Sequence, residues 1–137
     1  MGDRLPDFSI RTFAGNEVTR AELQGKPALL VFWNTWCGIC LRELPEIDRL
    51  AQKFGPLGLI VLAVNSGYND AETKARAYWK KYAFEFSSGY DHHFEFGQAI
   101  GLMGVPTIFL VDSKGVIRYK HSTTPPNMDD HFSRLLP

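Results

Sequence analysis

Two cysteines, the only ones in the 137 residues, stand three apart in Trp36-Cys37-Gly38-Ile39-Cys40. What lies on either side of them constrains the chain more than any other feature. Before them runs Ala28-Leu29-Leu30-Val31-Phe32-Trp33, a continuous apolar stretch of the length expected for a central strand buried on both faces. After them, Leu41, Leu44, Ile47, Ala51 and Phe54 recur at helical spacing, with Arg42, Asp48, Arg49 and Lys53 off that stripe. A Cys-x-x-Cys at a strand-to-helix junction reads as a thiol-disulfide redox motif, because the spacing puts two sulfurs within bonding reach and the start of a helix favours a thiolate.

A helix beginning at about Cys37 places the first sulfur where unpaired backbone N–H groups and the positive end of the helix dipole stabilise negative charge. Cys37 is therefore the expected nucleophile. A free cysteine has a pKa near 8.5, so only roughly 3% is thiolate at pH 7, and such an environment raises that fraction. Cys40, on nearly the same helical face and deeper, is the expected resolving thiol. The loop between the two is too small to stabilise much by cross-linking, so the pair is better explained by chemistry than as a staple. A zinc site needs two further ligands, yet there is no second Cys-x-x-Cys, and His92, His93, His121 and His131 form no pair at helical or finger spacing. Haem attachment requires histidine after Cys40, where Leu41 stands.

The remaining residues fit one α/β domain spanning 1–137. With 45% hydrophobic residues the chain can bury a single core. Its 15 basic and 15 acidic residues balance, which removes the electrostatic case for a nucleic-acid partner. No run reaches membrane-span length, and residues 1–16, polar and broken by Pro6 and Gly15, do not read as a signal peptide. Met1-Gly2 reads as the remnant left when an export or anchor segment is removed. Phe8 to Thr19 predicts a β-hairpin turning near Gly15-Asn16, and Thr19-Arg20-Ala21-Glu22 a capping box on a very short helix. Pro45 predicts a kink in the helix after the cysteines, which Gly55-Pro56 ends. Leu57 to Val64 predicts a second buried strand, parallel to the first, with Asn65 to Asp70 as a loop on the cysteine edge. Ala71, Ala75, Tyr78, Trp79 and Tyr82 share one face of a second helix, and a third runs from about His93 to Ile100. Thr107 to Val111 is a third buried strand, Val116 to Lys120 its antiparallel partner, and a last helix from Pro125-Pro126-Asn127 carries Phe132, Leu135 and Leu136.

The run from Val31 through Cys40, the following Leu41-Arg42-Glu43-Leu44-Pro45, and the distant Gly104-Val105-Pro106-Thr107 together resemble the thioredoxin-fold disulfide reductases of the TlpA/ResA/CcmG type. The resemblance extends from about Pro6 to about His121. Ile39 stands where that family commonly has proline, and Val31 where thioredoxin-like proteins often carry a buried polar residue. It implies a thioredoxin-like fold, a central mixed sheet flanked by helices with the hairpin as an N-terminal extension. It implies a cis Val105-Pro106 bond beside the disulfide, with the Val105 backbone pairing to an extended partner segment, although proline as the first residue of a strand is sufficient on sequence alone. It implies Glu43 near the thiols, passing a proton as Cys40 becomes a thiolate; a solvated helix carboxylate is the ordinary alternative. Trp36, beside Cys37, reads as a contact for partners or a lid on the disulfide.

The function so implied is reduction of protein disulfides outside the cytoplasm, in the bacterial periplasm or at its membrane. No cofactor is needed. The substrates are proteins bearing disulfides or thiols, such as an apocytochrome c, and the dithiol donor is a membrane thiol reductase. Two alternatives differ in class. A peroxiredoxin-like peroxidase needs proline at Leu30 and Thr or Ser at Asn34, and both are absent. A non-catalytic peptide-docking module has no use for the intact Cys37 and Cys40.

Overall fold

The computed structural model describes residues 2–137. Its centre is a five-stranded mixed sheet in the order β5-β4-β3-β6-β7, built from β3 (Ala28–Trp33), β4 (Ile60–Asn65), β5 (Ser87–Tyr90), β6 (Thr107–Val111) and β7 (Ile117–His121). A separate hairpin of β1 (Ser9–Arg11) and β2 (Glu17–Thr19) precedes it. The helices are α1 (Arg20–Leu23), α2 (Gly38–Phe54), α3 (Glu72–Tyr82), α4 (Glu95–Ile100) and α5 (Met128–Leu135). This is the thioredoxin-like arrangement expected, with the hairpin as its extension.

Strand alternation divides the interior into two cores. Leu29, Val31 and Trp33 of β3 face Leu44, Ile47 and Phe54 of α2, Ala75 and Trp79 of α3, and Phe132 and Leu135 of α5. Ala28, Leu30 and Phe32 face the other way, onto Leu5, Phe8 and Ile10 of the N-terminal segment and Phe96 of α4. Every residue of β3 is buried, which explains why its sequence shows no polar alternation. β3 pairs in parallel with β4 and antiparallel with β6. The strand-helix-strand path thus carries the C-terminal ends of β3 and β4 to one edge, with the start of α2.

Several elements differ from expectation. The second strand begins at Ile60 because Gly55–Leu57 forms a 3-10 turn and Gly58 follows at φ 110°; Leu57 is exposed. β5 was not legible, since Ser87-Ser88-Gly89-Tyr90 lacks an apolar run; it is held by parallel pairing to β4 and by Trp33 Nε1 donating to Ser88 Oγ at 3.0 Å. Thr19 is the N-cap of α1 but makes no side-chain cap bond. The third helix is split: His92–Phe94 is a 3-10 turn, His93 and Phe94 have positive φ, and α4 proper starts at Glu95. Its start is held by the buried Asp91 carboxylate, which accepts from the N–H groups of Phe96 (2.9 Å) and Gly97 (2.7 Å). α2 continues past Pro45 as one helix to Phe54 and stops at Gly55-Pro56, where its end was expected. Tyr82, at the end of α3, is exposed, and so is Leu136, which lies beyond the end of α5 at Leu135 rather than within the last helix.

Candidate active site

α2 begins at Gly38, with Cys37 as its N-cap. Cys37 leaves β3 through Asn34-Thr35-Trp36, and its Sγ accepts from the Cys40 N–H at 3.2 Å, the role an N-cap oxygen usually fills. Cys37 and Cys40 are disulfide-bonded, with Cα atoms 5.2 Å apart. Cys40 is 1% exposed and Cys37 7%. Both pack into the core of Leu44 and Trp33, and the one at the helix start is the more accessible.

The second wall of the site comes from the other half of the chain. The Val105-Pro106 bond is cis, and the Val105 carbonyl oxygen lies 3.7 Å from Cys37 Sγ. Pro106 is buried and Val105 half-buried. Met103, just before this turn, is almost fully exposed, as are to a lesser degree Ile39 and Trp36. Pro106 thus closes the site from the side of β6 while leaving the Val105 backbone at the disulfide.

The third wall escaped the sequence reading. Asn65 ends β4 opposite Trp33 at the end of β3, and the loop that follows, 66–70, is bonded along its length to Asn34-Thr35-Trp36. Asp70 accepts from Thr35 N (2.7 Å), Asn65 Nδ2 (2.9 Å), Asn34 Nδ2 (3.2 Å) and Thr35 Oγ1 (2.5 Å). Ser66 Oγ donates to Asn34 Oδ1 at 2.6 Å, and Trp36 Nε1 to the Tyr68 carbonyl at 3.0 Å. The Tyr68 and Trp36 rings meet edge to face, 6.4 Å between centroids. Burial pushes the Asp70 carboxyl up, but the bonds from Thr35, Asn65 and Asn34 outweigh it and hold the group below its ordinary value. The only sequence signal for this wall was the placement of 65–70 on the cysteine edge; that Asn34 and Asp70 meet follows from strand pairing.

Glu43 is half-buried one turn beyond Cys40. Its Oε1 accepts from Thr124 N (2.6 Å) and Thr124 Oγ1 (2.8 Å), tying α2 to the segment before α5. Among the described residues no cluster of three or more His, Cys, Asp or Glu side chains is arranged to hold a metal ion, and no helix is long and apolar enough to cross a membrane. A disulfide whose outer sulfur keeps some exposure and lies beside the Val105 carbonyl can, once reduced, exchange electrons with another disulfide.

Comparison with known proteins agrees with this chemistry. The thiol:disulfide interchange protein DsbE of Pseudomonas fluorescens biotype C is 35% identical over 127 residues, covering 88% of this chain, which spans 66% of that relative's length. The thiol-disulfide oxidoreductase ResA of Bacillus thuringiensis subsp. konkukian is 26% identical over 139 residues, covering 100% of this chain and 79% of its own. The crystal structure of StoA from Bacillus subtilis shares the fold, with a TM-score of 0.80 at 20% identity over 94% of this chain and 97% of that one. The redoxin family profile matches residues 1–135, and the chain belongs to that family as a thioredoxin-fold thiol-disulfide oxidoreductase.

Proposed function

We propose that this domain, residues 1–137 acting as one unit, reduces disulfides in exported proteins through Cys37 and Cys40. The observation that carries the reading is the asymmetry of the pair: Cys37 caps α2 beside the Val105 carbonyl and keeps 7% of its surface exposed, while Cys40, one turn deeper, keeps 1%. In the reduced state the Cys37 thiolate attacks one sulfur of the substrate disulfide. A mixed disulfide forms, and the other substrate sulfur leaves as a thiolate and takes a proton. Cys40, deprotonated, then attacks Cys37 Sγ, which closes the internal disulfide and releases the second substrate thiol. Two electrons and two protons have passed to the substrate, and a dithiol donor restores the enzyme by the reverse steps.

Val105 and Pro106 receive an extended substrate segment along the Val105 backbone, and Trp36 contacts it from the opposite side. Glu43 serves as proton acceptor for Cys40. Relatives named for disulfide interchange support the activity. We further infer that the protein works in the bacterial periplasm or on the outer face of the membrane, anchored there in its full-length form, with apocytochrome c among its substrates and a membrane thiol reductase as donor.

The test is the reduction potential of the Cys37–Cys40 couple at pH 7, equilibrated against a thiol buffer and read by tryptophan fluorescence, since Trp36 adjoins the couple. A value near or below about −250 mV supports a reductase, and one near about −120 mV reverses the direction of electron flow. No reversible two-electron couple leaves a docking module as the better reading. Cys40→Ser is expected to accumulate the mixed disulfide with substrate, which Cys37→Ser cannot form.

A further inference from the structure

Disulfide exchange does not itself require Asp70. The residue is 9% exposed, and no lysine, arginine or histidine among the described residues forms an ion pair with it. A buried charge without a counter-ion persists only where hydrogen bonds replace its hydration. Here every side-chain bond comes from the approach to Cys37 or from the end of β4: Thr35 through its N–H and hydroxyl, Asn34 and Asn65 through their amides. The residue's own backbone is held in turn, with its carbonyl accepting from Tyr90 Oη at 2.6 Å.

The bonds continue outward to the surface. Asn34 Oδ1 accepts from Ser66 Oγ, which accepts from Tyr68 N at 3.2 Å, and the Tyr68 carbonyl accepts from Trp36 Nε1. Trp36 and Tyr68 are 49% and 69% exposed, so packing against the core does not fix them. Their placement beside Cys37 is set by the loop that Asp70 clamps.

We propose that Asp70 is a positioning residue for disulfide exchange with proteins: its buried carboxylate clamps the 66–70 loop to Asn34-Thr35-Trp36 and so holds the Trp36–Tyr68 pair as a preformed wall against which a substrate segment docks beside Cys37. The proposal rests on the reading of Cys37 and Cys40 as a protein-disulfide reductase. Its mechanism is preorganisation: a wall that is already ordered loses less freedom when substrate binds. Asp70 stays ionised across the working pH range, since its carboxyl lies below the ordinary value. The clamp is therefore constant and carries no proton.

The test compares two rates on the reduced protein. Insulin, whose disulfides lie in a polypeptide, reports docking and chemistry together; alkylation of Cys37 by iodoacetamide reports the thiolate alone. Asp70→Asn keeps size but removes the charge and turns one acceptor into a donor facing the Asn34 and Asn65 amides. The ratio of insulin kcat/KM to the alkylation rate constant is expected to fall about three- to tenfold, mainly through KM, as lost preorganisation does. In a Trp36→Ala background the same substitution is expected to change that ratio by less than about 1.5-fold, because residues acting through one another are not additive. Thr35→Val, which removes one donor and leaves the carboxylate, should move the ratio in the same direction and serves if Asp70→Asn does not fold. Equal losses in both rates, additivity with Trp36→Ala, or an unchanged ratio overturns the proposal. If the unaltered protein is alkylated at Cys37 but does not reduce insulin, the protein-disulfide reading fails instead.

Discussion

Glu43 offers the sharpest separation of a structural from a chemical role, because its side chain is engaged in a way that two substitutions dissect. Oε1 accepts both the backbone N–H and the hydroxyl of Thr124. Hydrogen bonds to a charged group contribute about 1.5–3 kcal/mol each when buried, and taking the low end and discounting for half-exposure leaves roughly 1–2 kcal/mol for the two together. Unfolding entropy is about 2.1 cal/mol/K per residue, about 0.29 kcal/mol/K over this chain, so Glu43→Ala should lower Tm by about 3–7 °C. Glu43→Gln retains a carbonyl acceptor but makes neutral bonds about half as strong, and should lose about 0.5–1 kcal/mol, roughly half the alanine effect. Calorimetry of the oxidised forms makes the comparison. Stopped-flow release of a Cys37 mixed disulfide then isolates the chemistry: a proton acceptor at position 43 makes Glu43→Gln slow at closing the ring despite its smaller loss of stability. An alanine variant as stable as the parent refutes the strut, and a glutamine variant that resolves at the parent rate refutes the proton role.

Two further outcomes follow from the fold. Gly89 lies where the hairpin crosses β5, and a Cβ there would collide with Ile10 Cγ2 and come within 2.7 Å of the Arg11 carbonyl oxygen; Gly89→Ala should cost about 1–3 kcal/mol, read as a lower urea midpoint, and an unchanged midpoint contradicts the packing of hairpin on strand. Hydrogen bonds outweigh burial to hold the Asp70 and Asp112 carboxyls below their ordinary values, so the stability they add is complete above the unfolded pKa and is lost as pH falls through the folded one. Asp91 is raised by burial, despite its bonds to Gly97 and Phe96 N–H, so its contribution is complete at low pH and is lost as pH rises through its folded pKa. Thermal melts between about pH 5 and pH 3 should therefore fall less for Asp70→Asn than for the parent and more for Asp91→Asn, and parallel curves contradict both assignments.

The sequence carried the site's axis but not its rim. Ala28–Trp33 and the helix behind Cys37 were legible because burial on two faces and burial on one leave different apolar patterns. The hidden parts use polar residues for structural ends. β5 contains no apolar run and exists through ladder bonds and the Trp33–Ser88 contact. Phe94, an aromatic at positive φ, breaks a helix that composition alone continues, since Asp91 five and six residues upstream captures the next N–H groups. Asn34 and Asp70 are 36 positions apart; no local periodicity joins them, and the parallel pairing of β3 with β4 does.

The N-terminal segment spans the sheet from edge to edge. Gly2 bonds to Ile117 at the start of β7 and Leu5 to Gly115 in the turn before it, Leu5, Phe8 and Ile10 fill the core beneath, and Phe13 N reaches the Ser88 carbonyl of β5. During synthesis, these residues leave the ribosome well before either partner exists. They must wait in solution, with Phe8 and Ile10 uncovered, until almost the whole chain has followed. Within this domain the hairpin segment is thus made early and placed late, a delay in which a chaperone or a translocation channel has an unfolded, apolar segment to hold.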